Sequence, residues 1–172
     1  MATKDPDRAR SRFLNALRRI TNGMKIQRSR ILDRTANAPK LFAGPEYEIA
    51  DLRGDTGNDV DYYVYELARL QDLAREVNKT FDHPQVIVDA LAAFEAAIPN
   101  LRKIRNPLTH TSDDDRLDDV AWFDSVVKLG ANGSVEYLVD PRYQDHDAAK
   151  ELGQALASYL QVGSRASTTT GS

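Results

Sequence analysis

The chain has 172 residues, 41% hydrophobic and 28% charged, a balance that suits one soluble globular domain and is too apolar for a disordered chain. The absence of cysteine excludes a disulfide scaffold, a Cys-ligated zinc site and a thiol nucleophile. Residues 1–40 hold 11 Lys and Arg against 3 Asp and Glu, a charge of +8, whereas residues 41–172 hold 12 against 23, a charge of −11. The basic segment is therefore predicted to bind a polyanion, or to dock on acidic surface of its own chain or of a partner.

Nothing in the sequence predicts a membrane or secreted protein. The longest apolar stretch, from Ala90 to Phe94, is far too short to span a bilayer, and the first eight residues hold no apolar signal region. We therefore expect a cytoplasmic protein. The common glycine-rich phosphate loop, Gly-x-Ser-x-Gly elbow and His-Glu-x-x-His motif are absent, which argues against the usual nucleotide hydrolases, esterases and zinc proteases.

The first predicted element is a long amphipathic helix from about Asp5 to Arg34. Its apolar residues recur mostly at steps of three and four, with Arg and Lys between them. Asp5 is the predicted N-cap and Pro6 the first-turn residue, and Gly23 is a candidate position for a bend. Residues 35–56 are rich in glycine and proline, which predicts a loop between helices.

The remaining elements are three helices and a β-hairpin. Helical stripes of apolar residues predict helices over Asn58–Phe81 and Pro84–Ile98, and a last helix over His146–Leu160. Val120–Leu129 and Ser134–Val139 are rich in β-branched and aromatic residues and are separated by Gly-Ala-Asn-Gly, which predicts the hairpin. The predicted fold class is therefore mainly α, a helical bundle with a β-hairpin before the last helix.

We predict one domain over residues 1–162. It would consist of the basic N-terminal helix (1–34) and a helical core (58–160), and residues 163–172 would form a flexible polar tail.

One short segment stands out chemically, because Arg105, Asn106 and His110 fall within six residues at the end of an apolar helix. On an unbroken helix, Arg105 and His110 would point to different sides. Pro107 disfavours an unbroken helix, so that Asn106 is a candidate N-cap for a new turn in which His110 can swing toward Arg105.

These three residue types suit RNA cleavage without a metal. Histidine can take the proton of a ribose 2′-hydroxyl or protonate the leaving 5′-oxygen, and arginine can stabilise the charged phosphorane. Asparagine can orient the histidine or the phosphate. One histidine does not easily serve as base and acid in one turnover. Two chains facing each other in a homodimer would supply the second histidine.

The segment Arg105-Asn106-Pro107-Leu108-Thr109-His110 resembles the Arg-polar-x-x-x-His signature of the HEPN superfamily, and the helical context over residues 58–160 resembles it as well. The resemblance implies a HEPN-like bundle and a metal-independent endoribonuclease of toxin or phage-defence type, with no cofactor. It further implies Arg105 and His110 as the catalytic pair at a dimer interface, Asn106 as their assistant, RNA as substrate, and an antitoxin or nucleotidyltransferase as a possible partner.

Other interpretations remain open for the same residues. The arginines near residue 105 could simply offset the helix dipole, and His110 could pair with Asp113 or Asp114. The chain would then be a non-catalytic helical binding or dimerisation module, or a small-nucleotide binder if a pocket lay near Arg105.

Further polar and aromatic groups also have two interpretations. The acidic stretch Asp113–Asp119 suits a solvated loop better than a divalent cation site, and it requires the basic N-terminal helix to attract any RNA substrate. His83 and His146 are predicted to be structural. The hairpin aromatics are predicted to cover the sheet face rather than to stack on bases; they are Trp122, Phe123 and Tyr137.

Overall fold

The computed structural model describes residues 5–41, 46–99, 101–102, 104, 119–122, 125–129, 135–141 and 144–166. The protein is mainly helical, as the sequence predicts. The described elements, in chain order, are α1 (Pro6–Leu41), α2 (Glu46–Thr80), α3 (Gln85–Ala97), β1 (Asp119–Trp122), β2 (Ser125–Leu129), β3 (Val135–Val139) and α4 (Gln144–Ala166).

Helix α1 begins as its sequence predicts. The side chain of Asp5 accepts a hydrogen bond from the backbone N–H of Arg8 at 3.0 Å, and Pro6 opens the first turn. The helix continues through Gly23 as one element and ends at Leu41.

The prediction of a loop over residues 35–56 is wrong for most of its length. Residues 35–41 belong to α1 and residues 46–56 belong to α2, and only 42–45 lie outside the described residues. A glycine inside a helix costs about 1 kcal/mol relative to alanine. Helix α2 contains Gly54 and Gly57, so glycine content alone did not predict where α2 begins.

Helices α2 and α3 are joined by a tight turn. The backbone N–H of His83 donates to the carbonyl oxygen of Asn78 at 2.8 Å, and Asp82 and His83 have φ angles of 57° and 56°. Such a left-handed ending of a helix satisfies carbonyl groups of its last turn. Pro84 then occupies the N-cap position of α3, close to the predicted start of that helix.

A single hydrophobic core lies where the four helices meet. The helical stripes predicted from the sequence supply most of it, and α2 contributes more of its largest members than any other helix. The fully buried large side chains include Ile31 from α1, Tyr63, Leu67 and Leu70 from α2, Phe94 from α3, and Leu152, Leu156 and Leu160 from α4. Tyr63 is therefore a core residue that also carries a polar group.

The described strands form one antiparallel sheet in the order β1-β2-β3. Val120 pairs with Val127 and Lys128 with Glu136, and a register irregularity lies between Val126 and Val127. The stretch 120–129 thus contains parts of two strands. The predicted turn over residues 130–133 lies outside the described residues, so the complete β-hairpin stays a prediction.

Helix α4 is longer than predicted at both ends, because it runs from Gln144 to Ala166. The first four residues of the predicted flexible tail, 163–166, are helical, and 167–172 lie outside the described residues. In the part of the chain that is described, no helix is long and apolar enough to cross a membrane.

Candidate functional site

The three predicted catalytic residues, Arg105, Asn106 and His110, lie outside the described residues. The structure describes the segment that leads to them. Leu101 and Ile104 are helical and are buried in the core. The chain is therefore anchored one residue before Arg105.

An ion pair also fixes this approach to the predicted site. Arg102 donates from Nη2 to Oδ1 of Asp72 on α2, at 3.0 Å. The guanidinium of Arg102, one of the arginines near residue 105, therefore contacts α2. Both groups are largely exposed, so the pair orients the segment more than it stabilises the fold.

Most of the acidic and aromatic candidates near the motif lie outside the described residues. Residues 113–118 and Phe123 lie outside the described residues, and Asp119 and Trp122 are described as the two ends of β1. Tyr137 pairs with Val127 in the sheet register. Their predicted roles therefore stay predictions.

The N-terminal basic helix docks partly on the chain's own acidic surface. Asp59 on α2 is buried and receives two arginines of α1, Arg34 at 2.7 Å and Arg30 at 3.4 Å. Arg10 donates to the backbone oxygen of Tyr159 on α4 at 3.0 Å. One of the two alternatives for the basic segment, docking within the chain, is thus realised at these positions.

The same helix also keeps a set of exposed cations. None of these side chains forms an ion pair with another residue in the described part of the chain. They are Arg8, Arg12, Arg18, Arg19 and Lys25. They leave α1 with an exposed positive face that the acidic body does not neutralise, which keeps the polyanion-binding alternative available.

His146 forms a polar contact that sequence patterns did not indicate. Its Nδ1 lies 3.1 Å from the hydroxyl oxygen of Tyr63, a core residue of α2. Burial lowers the pKa of His146, and the neighbouring Arg28 lowers it further, while Asp147 opposes them. Burial raises the pKa of Tyr63, so the phenol is protonated and can donate to the neutral imidazole.

His146 also lines a groove between α1 and α4, with a volume of about 320 Å³. The groove is apolar at its base, through residues such as Leu17, Met24 and Ala149, and Arg18 and Lys150 lie among its lining residues. Sequence reasoning missed this groove because its two walls are more than a hundred residues apart in the chain.

The described residues hold no group of three or more His, Cys, Asp or Glu side chains that could bind a metal ion. Comparisons with protein-family models, with curated proteins and with solved structures each find no match to this chain.

Proposed function

We propose that the protein is a HEPN-like, metal-independent endoribonuclease of toxin or phage-defence type, which acts in the cytoplasm as a homodimer. Arg105 and His110 are its catalytic pair and Asn106 assists them. The observation that carries the proposal is the Arg105-Asn106-Pro107-Leu108-Thr109-His110 segment itself, which follows directly on residues held in the core. Leu101 and Ile104 hold the preceding turn in the core, so Arg105 follows a fixed point of the fold.

The proposed reaction is an internal transesterification of RNA. His110 of one chain takes the proton of the ribose 2′-hydroxyl, whose oxygen then forms a bond to the phosphorus. The bond from phosphorus to the 5′-oxygen breaks, and the same residue of the second chain supplies the proton to that oxygen. Arg105 stabilises the charge of the phosphorane. The products are a 2′,3′-cyclic phosphate and a 5′-hydroxyl.

The exposed cations of α1 support RNA as the substrate class. A phosphate backbone binds through Lys and Arg, and an acidic protein needs a local positive surface to overcome general repulsion. Arg18, Arg19 and Lys25 form part of such a surface.

The test is cleavage of a single-stranded RNA in EDTA by the wild type, His110→Ala and Arg105→Ala. We expect both variants to lose at least about a hundredfold in rate, the usual loss when a general acid–base group or a donor that stabilises transition-state charge is removed. His83→Ala is the matched control, because His83 is an exposed histidine of the α2–α3 turn. Equal cleavage by the wild type and His110→Ala would refute the catalytic assignment.

A second candidate is a non-catalytic helical binding or dimerisation module. The observation that favours it is the burial of Asp59 under Arg30 and Arg34, which uses part of the basic segment to hold α1 on α2. Under this alternative, wild-type protein free of contaminating nuclease leaves RNA intact in EDTA. Homodimerisation would then persist without cleavage.

A further inference from the structure

A surface at the exposed seam between α1 and α2 combines cations with tyrosines. We propose that this surface binds single-stranded RNA, with the tyrosines stacking on bases and the arginines contacting phosphates. The seam surface consists of Arg19 and Ile26 on α1, and Tyr62, Tyr65 and Arg69 on α2. The inference rests on the proposed function for the choice of RNA, but binding is measured apart from cleavage.

Two contacts establish how the helices lie along this seam. Arg30 bonds to Asp59, and a Cβ placed on Gly23 would lie 3.0 Å from Oε1 of Glu66. As the residue number rises along α1 it falls along α2, so the two helices are antiparallel. Residues near 26 on α1 therefore lie level with residues near 63 on α2.

Helical periodicity then places the exposed residues beside the seam. Ile26 lies three residues after Gly23 and four before Arg30, and both of those residues contact α2. Tyr62 lies three residues after Asp59 and four before Glu66, and both of those contact α1.

The same spacing extends the surface along both helices. Arg19 precedes Gly23 by four residues, which continues the α1 edge of the seam. On α2, Tyr65 and Arg69 follow Tyr62 at steps of three and four.

These side chains are exposed although several of them are apolar or aromatic. Tyr62 is 60% exposed, Ile26 is 52% exposed and Tyr65 is 42% exposed. Exposed tyrosines beside arginines form the kind of surface on which successive bases stack while the backbone follows the positive charge. The guanidinium of Arg69 lies over the ring of Tyr65, 5.8 Å from its centroid, which holds one tyrosine in place.

The seam surface carries a small positive charge, because its two arginines outnumber Glu66, and the exposed Asp33 limits it on α1 two turns after Ile26. Glu66, the acidic residue between the two tyrosines and Arg69, is engaged by Arg69 at 3.0 Å. Arg19 has no ion-pair partner among the described residues, and Arg12 lies two turns before it on the same edge of α1. Glu76, which is exposed two turns beyond Arg69, limits the surface on α2.

A lipid surface fits this seam less well. Helices that lie in a membrane interface bury a continuous apolar face with several large side chains. On the described part of α1, Ile26 is the one large hydrophobic residue with high exposure, and the residues around it are polar or charged. Anionic vesicles are therefore the comparison arm of the test.

The experiment measures binding of a labelled single-stranded RNA by fluorescence anisotropy, with the full chain carrying His110→Ala so that substrate persists. We expect Tyr62→Ala to weaken binding at least about fivefold and Tyr62→Phe to retain it, because stacking needs the ring and not the hydroxyl. We expect Arg19→Ala to lower the slope of log affinity against log salt by about 0.7, the value for one lost phosphate contact on a single strand.

Lys79→Ala is the matched control, since Lys79 is an exposed cation in the last turn of α2 that lies outside the seam surface, ten residues beyond Arg69. It should change affinity less than about twofold at physiological salt, where charges farther apart than about 8 Å are screened. Thermal melting verifies that each variant is folded.

Three outcomes would overturn the inference. They are an equal loss in Lys79→Ala and Arg19→Ala, tighter binding of duplex than of single strand, and Tyr62-dependent binding to vesicles of phosphatidylserine but not to RNA. If the seam variants cleave RNA normally while His110→Ala does not, the inference fails and the proposed function stands. If the seam binds RNA but the wild type never cleaves it, the inference stands and the proposed function fails.

Discussion

Asp61 on α2 is a partly buried carboxylate whose Oδ1 has no hydrogen-bond partner among the described residues. Burial raises its pKa from the usual 3.8 to about 6. The folded chain therefore holds a proton on Asp61 between about pH 4 and pH 6 that the unfolded chain has released. A group of this kind makes folding less favourable as pH rises through that window, because the folded state binds more protons than the unfolded state.

We predict that Asp61→Asn removes this pH-dependent cost. Relative to the wild type, its free energy of unfolding should rise by about 1 to 2 kcal/mol between pH 3.5 and pH 7.5, less than the full value of the pKa shift because the group is partly solvated. Urea unfolding at a series of pH values measures the difference.

Asp89→Asn is the control, since Asp89 is an exposed aspartate of α3 and reports the effect of losing one surface charge. A difference between the wild type and Asp61→Asn that does not change with pH would contradict the prediction. His146 titrates with the opposite sign, because burial lowers its pKa and its stabilising effect is lost as pH falls below about 6.5. Because His146 is present in both the wild type and Asp61→Asn, its contribution cancels in the difference between their free energies of unfolding.

At the scale of the elements, Gly23 shows how closely α1 and α2 approach each other. A Cβ at this position would lie 3.0 Å from Oε1, 3.1 Å from Cδ and 3.3 Å from Cγ of Glu66. Gly153 in α4 is different, because a Cβ there would meet Thr21 at an ordinary 3.7 Å. Both glycines lie inside helices, where alanine is intrinsically more favourable.

We predict that Gly153→Ala stabilises the protein by about 1 kcal/mol, whereas Gly23→Ala gains less because the new methyl group must displace Glu66. Combining Gly23→Ala with Glu66→Ala should recover the gain, so the two changes should be coupled by at least about 0.5 kcal/mol. Thermal and urea unfolding of the single and double variants measure the coupling. Strict additivity would show that α1 and α2 are not tightly packed at this level.

The elements also show what the sequence can predict and what it cannot. The apolar stripes of α1, α2, α3 and α4 were predicted because a helix that faces a core repeats its buried residues every three or four positions. The start of α2 was not predicted, because the glycine and proline content over residues 35–56 suggested a break, whereas α1 and α2 both extend into this stretch.

The candidate site likewise has a part that the sequence predicts and a part that it does not. The Arg105–His110 pattern is local and can be found by inspection, whereas the contact of Tyr63 with His146 joins residues 83 positions apart. No local sequence pattern around Tyr63 or His146 predicts that contact. The seam surface likewise depends on which edges of α1 and α2 meet, and single-helix patterns do not contain that information.

For the whole molecule, the proposed function requires that two copies of this chain share one metal-free catalytic centre. A shared centre needs His110 from both chains, because one serves as base and the other as acid. A heterodimer of the wild type and His110→Ala would then be inactive, since it lacks one of the two proton-transfer groups.

The most direct test is the rate of RNA cleavage in EDTA by an equal mixture of wild type and His110→Ala, refolded together so that subunits exchange at random. Relative to the same total amount of pure wild type, we predict about one quarter of the activity, the fraction of dimers with two wild-type chains. About one half of the activity would mean that each chain acts alone and would contradict the shared centre. The absence of any metal-free cleavage by the wild type would contradict the proposed endoribonuclease function.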